Sequence, residues 1–483
     1  MKYTKLFFIT AFVALLGLTG CKKVLDINTD PNKASTATPE LLLPTAQTEL
    51  GQTIGYTWNY IGSMWAQYWT GGYGVSTSGL EFYNMTSGST EGSWTRAYAR
   101  TLQDLTAITK SGQPIYSGMS KIMKAYLFQM LTDLHGAIPF SQANKGSIED
   151  GSVLTPSYDS EEDVYAALIP LIDEGLAEIA ATGGTVVEPG EEDLIYGGDL
   201  EKWEKFANTL KLKILVRKGD YAGALALINS GANLIGAGDA AAMNYYESSQ
   251  NTNPLYAQFE SRTSVGMYYV AAWSSVNEMV NLSDPRVKLI YDEGTAGDSG
   301  VYSGEINELT DAYPPPGTDP NKKFSRPSTF TFDANVPVFF ISEWESYFLQ
   351  AETLVRNNQN ADSKFADAVT ASFDYYGDAS SAPGYIAGLG FSTASPDDQL
   401  NILGIQKWIS MNGLQMIEGW LETLRFDRPG NRIFTEGIFR SPSQNVISGG
   451  KFPSSFLYPT QELTLNPNSP KDRTTTSKRF WDN

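Results

Sequence analysis

Cys21 is the residue whose chemistry is easiest to read, because it is the only cysteine in 483 residues. Lys2 and Lys5 open the chain, an apolar run follows from Leu6 to Leu18, and Leu18-Thr19-Gly20 leads into the thiol. A basic start, a short apolar stretch and a small-residue cleavage site make a secretory signal. The apolar run is too short to span a bilayer. An exported chain with cysteines to spare makes disulfides; this one has no second cysteine to pair with. The expectation is therefore a signal peptide over 1–20 and acylation at Cys21, with several acyl chains giving a stable anchor.

Other chemistry-bearing residues are sparse or uninformative. His135 is the single histidine, so a histidine triad or zinc cluster could use only that ring. It stands before Gly136-Ala137-Ile138-Pro139 and reads as a packed or capping residue at a helix end. Glycoside hydrolysis needs two carboxylates flanking one bond. Among 54 Asp and Glu, neighbours such as Glu191-Glu192-Asp193, or Glu343 and Glu345, arise by number alone and read as solvated faces. Asp26, Asn28 and Asp30 match the opening of a calcium loop, but Pro31 and Ala37 stand where that loop needs Gly and Glu. No catalytic residue, metal or cofactor is expected, and the chain reads as no enzyme.

Composition narrows the partners. Net charge is −19 and no Lys/Arg cluster stands out, which argues against nucleic acid. Hydrophobic residues make up 41%, as in a globular chain, while 26 Tyr, 23 Phe and 10 Trp accompany only 18% charged residues. Flat apolar rings among neutral polar side chains suit sugar faces, peptides and large interfaces alike.

The elements that must position these rings are mainly helical. Apolar residues recur at helical spacing over 93–110 with 118–135, 160–180 with 199–218, and 343–357 with 363–376, and again over 400–425. Ser160 with Asp163 is a capping-box-like start, Asp199 can cap the helix carrying Trp203 and Phe206, and Gly219 can end it. Paired helices suggest tetratricopeptide-like units, although no repeat consensus is visible. The fold expected is mainly α: helical pairs carrying long irregular loops at 71–92, 141–158, 291–337 and 426–483. The segment 21–47, with Pro31, Pro39 and Pro44, reads as anchor plus extended chain, and 48–483 as a single domain.

Several segments, in order, resemble the SusD/RagB family of outer-membrane lipoproteins. They are the run Leu25 to Asn32 with its Asp30-Pro31-Asn32; Asp133 to Ala143, where His135 replaces the usual aromatic; and Trp203 to Lys213 (WEKFANTLKLK). Asn253-Pro254-Leu255-Tyr256, Asp284-Pro285-Arg286, Glu345 to Glu352, and Leu457-Tyr458-Pro459 with Glu462 and Asn466-Pro467-Asn468 continue the series. The resemblance implies a SusD-like α/α superhelix that catalyses nothing. It implies capture of a nutrient, usually a glycan and in some members a peptide, and transfer to a SusC-like TonB-dependent outer-membrane transporter. The site would then lie at the cell surface, on a lipid-anchored protein. Ligand contacts are expected from loop aromatics at 71–92 and 291–337: Tyr73, Tyr83, Asn84, Trp94, Tyr302, Tyr313 and Phe324. Trp203, Phe206, Trp344, Tyr347 and Trp408 lie on core stripes and are set aside. Asn28, Asp30, Pro31 and the terminal Phe480-Trp481 are candidate transporter contacts.

Overall fold

The computed structural model describes residues 37–71, 79–148, 150–181, 183, 186–248, 250–260, 269–294, 302, 324–442 and 449–482. The chain divides into Met1–Thr38 and one large unit, Pro39–Asn483. Cys21 and the segment carrying Asp26, Asn28, Asp30 and Pro31 lie outside the described residues.

Local signals account for the helix ends. Ser160 accepts from the Asp163 amide to start Glu161–Ile179, and Asp199 accepts from the Glu201 and Lys202 amides to start Leu200–Arg217. Gly219, at φ +80°, follows the second of these. Pro114 and Pro396 take first-turn positions, where a missing N–H costs nothing. One expectation needs correcting. From residue 39 the proline-bearing segment is not extended: Pro39–Gln52 is a helix with Pro44 inside it. Leu43, Ala46 and Leu50 on one face of it are fully buried, and that packing outweighs the break in the ladder.

The expected pairs are present, but they join into a continuous array. Leu102–Thr109 packs on Pro114–His135, which packs in turn on Glu161–Ile179, and that helix on Leu200–Arg217. Tyr221–Asn229, Glu343–Arg356, Asp362–Tyr375, Pro396–Ser410 and Met416–Phe426 continue it. The most extensive contact of helix 114–135 is with helix 161–179, across what the sequence reads as separate pairs. Gly118 and Gly175 allow it: a Cβ on Gly118 would lie 2.6 Å from the Gly175 carbonyl, and one on Gly175 2.8 Å from the Gly118 carbonyl. The fold is thus a tetratricopeptide-like helical scaffold.

Charges knit the array from inside. Lys213 lies 2.9 Å from both Glu345 and Glu418, Arg217 lies 2.8 Å from Asp133 and from Glu422, and Lys407 lies 3.0 Å from Glu422. Arg425 bonds Glu352 at 2.6 Å. All these side chains are buried. Much of the Trp203–Lys213 and Glu345–Glu352 runs is therefore scaffold. Asn208 and Lys211 also bond to neighbouring elements, to the Asn233 carbonyl and to Asp173.

Strands are short and paired in twos. Trp69–Gly71 runs antiparallel to Tyr269–Ala271 with Trp69 opposite Ala271, Ala241–Met243 to Val338–Ile341, and Tyr291–Asp292 to Arg326–Pro327. The end of the chain belongs to the core. Trp481 donates to Asp133 at 2.9 Å, and Phe480 packs edge-on against Tyr165 at 4.9 Å. The expectation that Trp481 faces a transporter is corrected, since its ring is buried in its own domain, whereas Phe480 stays partly exposed.

Candidate functional site

The first strand pair lies against a patch of rings. Tyr56 sits in a π-helical turn, Thr53–Trp58, and Tyr60 one turn on in Asn59–Trp65, so the two stack with centroids 6.4 Å apart. Gly55 brings that turn close to its neighbours; a Cβ there would lie 2.5 Å from Val338 and 3.2 Å from Pro254. The helix Pro254–Glu260 is started by Asn253, whose side-chain oxygen accepts from the amides of Leu255 and Tyr256. It presents Tyr256 and Phe259. Phe259 lies 5.7 Å from Tyr60 and 5.0 Å from Tyr269, and Tyr256 lies 5.6 Å from Phe332. Trp69 joins Tyr269 at 5.8 Å and Phe332 at 6.0 Å.

Depth grades across this patch. Trp69, Phe259 and Tyr269 are buried and form a floor, while Tyr56, Tyr60, Tyr256 and Phe332 keep part of their surface in solvent. Three stretches outside the described residues, 72–78, 261–268 and 295–323 (Tyr302 apart), attach in sequence to the elements of this patch or to the neighbouring 291–292 and 326–327 strand pair. The Ala271 amide ties the two strand pairs together by donating to the Ser325 carbonyl at 2.8 Å. Partly exposed aromatic rings over a buried floor can stack on the apolar face of a ring-shaped or planar ligand.

The aromatics singled out from the loops fall elsewhere. Tyr83 is fully buried at φ +64°, packs against Phe452 at 5.7 Å and accepts a 2.7 Å bond from Gln67. Trp94 is buried between Tyr98 at 4.7 Å and His135 at 4.9 Å. Neither ring has a face to offer a ligand, so both assignments are corrected to core. Asn84 beside them is half-buried, as are Tyr302 and Phe324, and Tyr73 and Tyr313 lie outside the described residues. Most of the patch residues sit on helices, where rings at spacing three or four read as core. The pairs Tyr56/Tyr60 and Tyr256/Phe259 were the available signal.

A second concavity, of about 450 Å³, lies between Glu343–Arg356 and Asp362–Tyr375, lined by Tyr347, Tyr375, Glu343, Asp367 and Asp374. Tyr347, set aside as core, is half-exposed there with the Lys364 ammonium 5.2 Å from its ring centre.

Of the neighbouring carboxylates read as solvated faces, Glu191 is exposed, but Asp193 and Glu345 are buried, a correction, because the fold ties them in. Asp193 accepts from Trp203 and Gln47, both at 2.7 Å, and Glu192 from Tyr116. Glu345 is in the buried ion array, and Glu343 accepts from the Gly238 amide at 3.1 Å. Among the described residues no group of three or more His, Cys, Asp or Glu is placed to hold a metal ion.

A family model described as starch-binding associating with outer membrane, SusD-like, matches residues 31–459. Solved structures share the fold. A SusD/RagB family protein from Bacteroides thetaiotaomicron is 21% identical with a TM-score of 0.73, over 90% of this chain and 95% of that one. A SusD homologue from Bacteroides uniformis is 21% identical at 0.73, over 92% and 99%. A chitin-binding protein is 22% identical at 0.72, over 92% and 100%. No curated protein matches the chain in sequence. With the family model spanning most of its length and the helical array matching in three dimensions, the chain belongs to the SusD-like family.

Proposed function

We propose that this protein is a lipid-anchored, cell-surface nutrient-binding protein that captures oligosaccharides and passes them to a TonB-dependent outer-membrane transporter. The observation that carries this reading is the graded ring patch of Tyr56, Tyr60, Tyr256 and Phe332 over Trp69, Phe259 and Tyr269, in a chain of a family described as starch-binding. A chitin-binding protein of the same fold supports a polysaccharide ligand. Burying about 80 Å² of apolar area on one ring contributes roughly 2 kcal/mol gross. Two or three rings, less the cost of association, leave affinities of roughly millimolar to micromolar.

Tyr73, Tyr302, Tyr313, Phe324 and Asn84 remain the loop contacts proposed to complete the site. The signal over 1–20 and acylation at Cys21 supply the anchor; no helix among the described residues is long and apolar enough to cross a membrane.

Calorimetry against a panel of neutral oligosaccharides and peptides tests this. A neutral glycan should bind, and Tyr56→Ala/Tyr256→Ala should weaken it about tenfold or more, since two ring faces are lost. Unchanged affinity in that variant would remove the patch from the site, and binding confined to peptides would replace the glycan by a peptide.

A further inference from the structure

The chain carries a net charge of −19, yet three lysines gather at one cavity. It encloses about 370 Å³ between Leu102–Thr109, Pro114–His135, Leu171 of Glu161–Ile179 and the residues 140–145 with Asp150. Lys110 stands just past the first helix, Lys124 is within the second, and Lys145 is on the loop. Phe128 and Phe140, edge-on at 4.8 Å, form an apolar wall.

The positive charge is only partly answered. Among the described residues Asp150 is the one carboxylate lining the cavity, and it is engaged by Lys110 at 2.5 Å and by the Ser147 hydroxyl at 2.6 Å. Lys121, one turn before Lys124, is matched by Glu174 and Glu178. Lys124 bonds the Thr106 hydroxyl at 3.1 Å, and among the described residues neither it nor Lys145 has a carboxylate within ion-pair distance. Burial, then repulsion from Lys110, Lys121 and Lys145, brings the Lys124 ammonium down to about 8. An ammonium in that position gains from an anion, and a concave apolar wall concentrates the field that attracts one. The wall also offers a ring edge to whatever carries the anion.

We propose that this cavity binds a sugar residue bearing a carboxylate or sulfate, with the oxyanion between Lys124 and Lys145 and the sugar's apolar face towards Phe140. It is distinct from the ring patch and gives the protein a preference for acidic over neutral saccharides.

The test is calorimetry of the acylated full chain in detergent micelles at pH 7 and low salt, with digalacturonate, neutral galactobiose and inorganic sulfate. Digalacturonate should bind more tightly than galactobiose. Lys124→Met and Lys145→Glu should each weaken digalacturonate about tenfold, the loss expected for one charge-assisted contact, and leave galactobiose unchanged. Lys145 is exposed, so Lys145→Glu keeps the test decisive if Lys124→Met fails to fold. Equal affinity for the two disaccharides, or digalacturonate binding indifferent to Lys145→Glu, overturns the proposal. Sulfate binding as tightly as digalacturonate overturns the assignment to a sugar. Loss of digalacturonate binding in Tyr56→Ala/Tyr256→Ala, with Lys145→Glu unaffected, would place the acidic sugar on the ring patch.

Discussion

His135 sits in a cage of rings, Trp94 at 4.9 Å, Phe456 at 5.7 Å and Tyr458 stacked at 5.8 Å. Burial, reinforced by Arg473 and Arg479, holds its imidazole well below the ordinary 6.5. The sign follows. Below pH 6.5 the unfolded chain takes up a proton that the folded imidazole refuses, so stability falls with pH by up to about 1.4 kcal/mol per pH unit. Asp133, pushed up to about 6 by burial, titrates with the opposite sign in the same window. Its contribution is common to wild type and His135→Phe and cancels between them. Urea unfolding at pH 7.5 and 5.5 should show His135→Phe gaining on wild type at the lower pH. Identical pH dependence of the two would mean the ring ionises freely in the fold. The resemblance marked this position by its departure from an aromatic residue; the cage around the ring was not in the sequence.

At the scale of elements, the helices are held by two opposite devices. One is close approach: Gly118→Val would press two methyls into the Gly175 backbone and the Ile179 side chain, which a Cβ already meets at 2.6 and 2.7 Å. Separating helices 114–135 and 161–179 to relieve this should cost about 1–3 kcal/mol in a urea titration, and an unchanged midpoint would show that the crossing has slack. The other device is the buried charge array. Its balance is strict because its members are buried from solvent. Arg217→Met leaves Asp133 and Glu422 without that partner and should cost about 3–5 kcal/mol; a loss below about 1 kcal/mol would mean the carboxylates find protons or water. The caps at Ser160 and Asp199 were legible because capping is a matter of a few adjacent residues. The crossing of 114–135 on 161–179 was not, since glycines in a helical stripe look alike whether or not a partner backbone approaches.

For the whole molecule, the −19 charge and the proposed anchor at Cys21 bear on how it would sit in a complex. Acidic surfaces suppress non-specific association, so a lasting complex with a transporter needs a complementary patch and should bury more than about 2,000 Å². Affinity purification from mild-detergent membranes should recover a stoichiometric β-barrel transporter with the wild type, and Cys21→Ala should move the protein out of the membrane fraction. Recovery of the protein alone would favour a free-standing binder. Trp481 is buried, while Phe480 keeps part of its surface in solvent and stays available to such a contact.

Signals carried by neighbouring residues were decided in the sequence itself. The helical stripes, their caps and the mainly α class all arise from spacings of a few residues, where backbone hydrogen bonding and side-chain period act. Exposure was decided only by the tertiary structure. Tyr83 and Trp94 lie in or beside a loop and are sealed by Phe452, Tyr98 and His135. Tyr56 and Tyr256 lie on helical turns and stay partly exposed. Lys110, Lys124 and Lys145 are ordinary lysines along the chain and become a basic cavity through the packing of two helices and a loop. A side chain's burial and field depend on what distant segments place against it, and no local pattern encodes that.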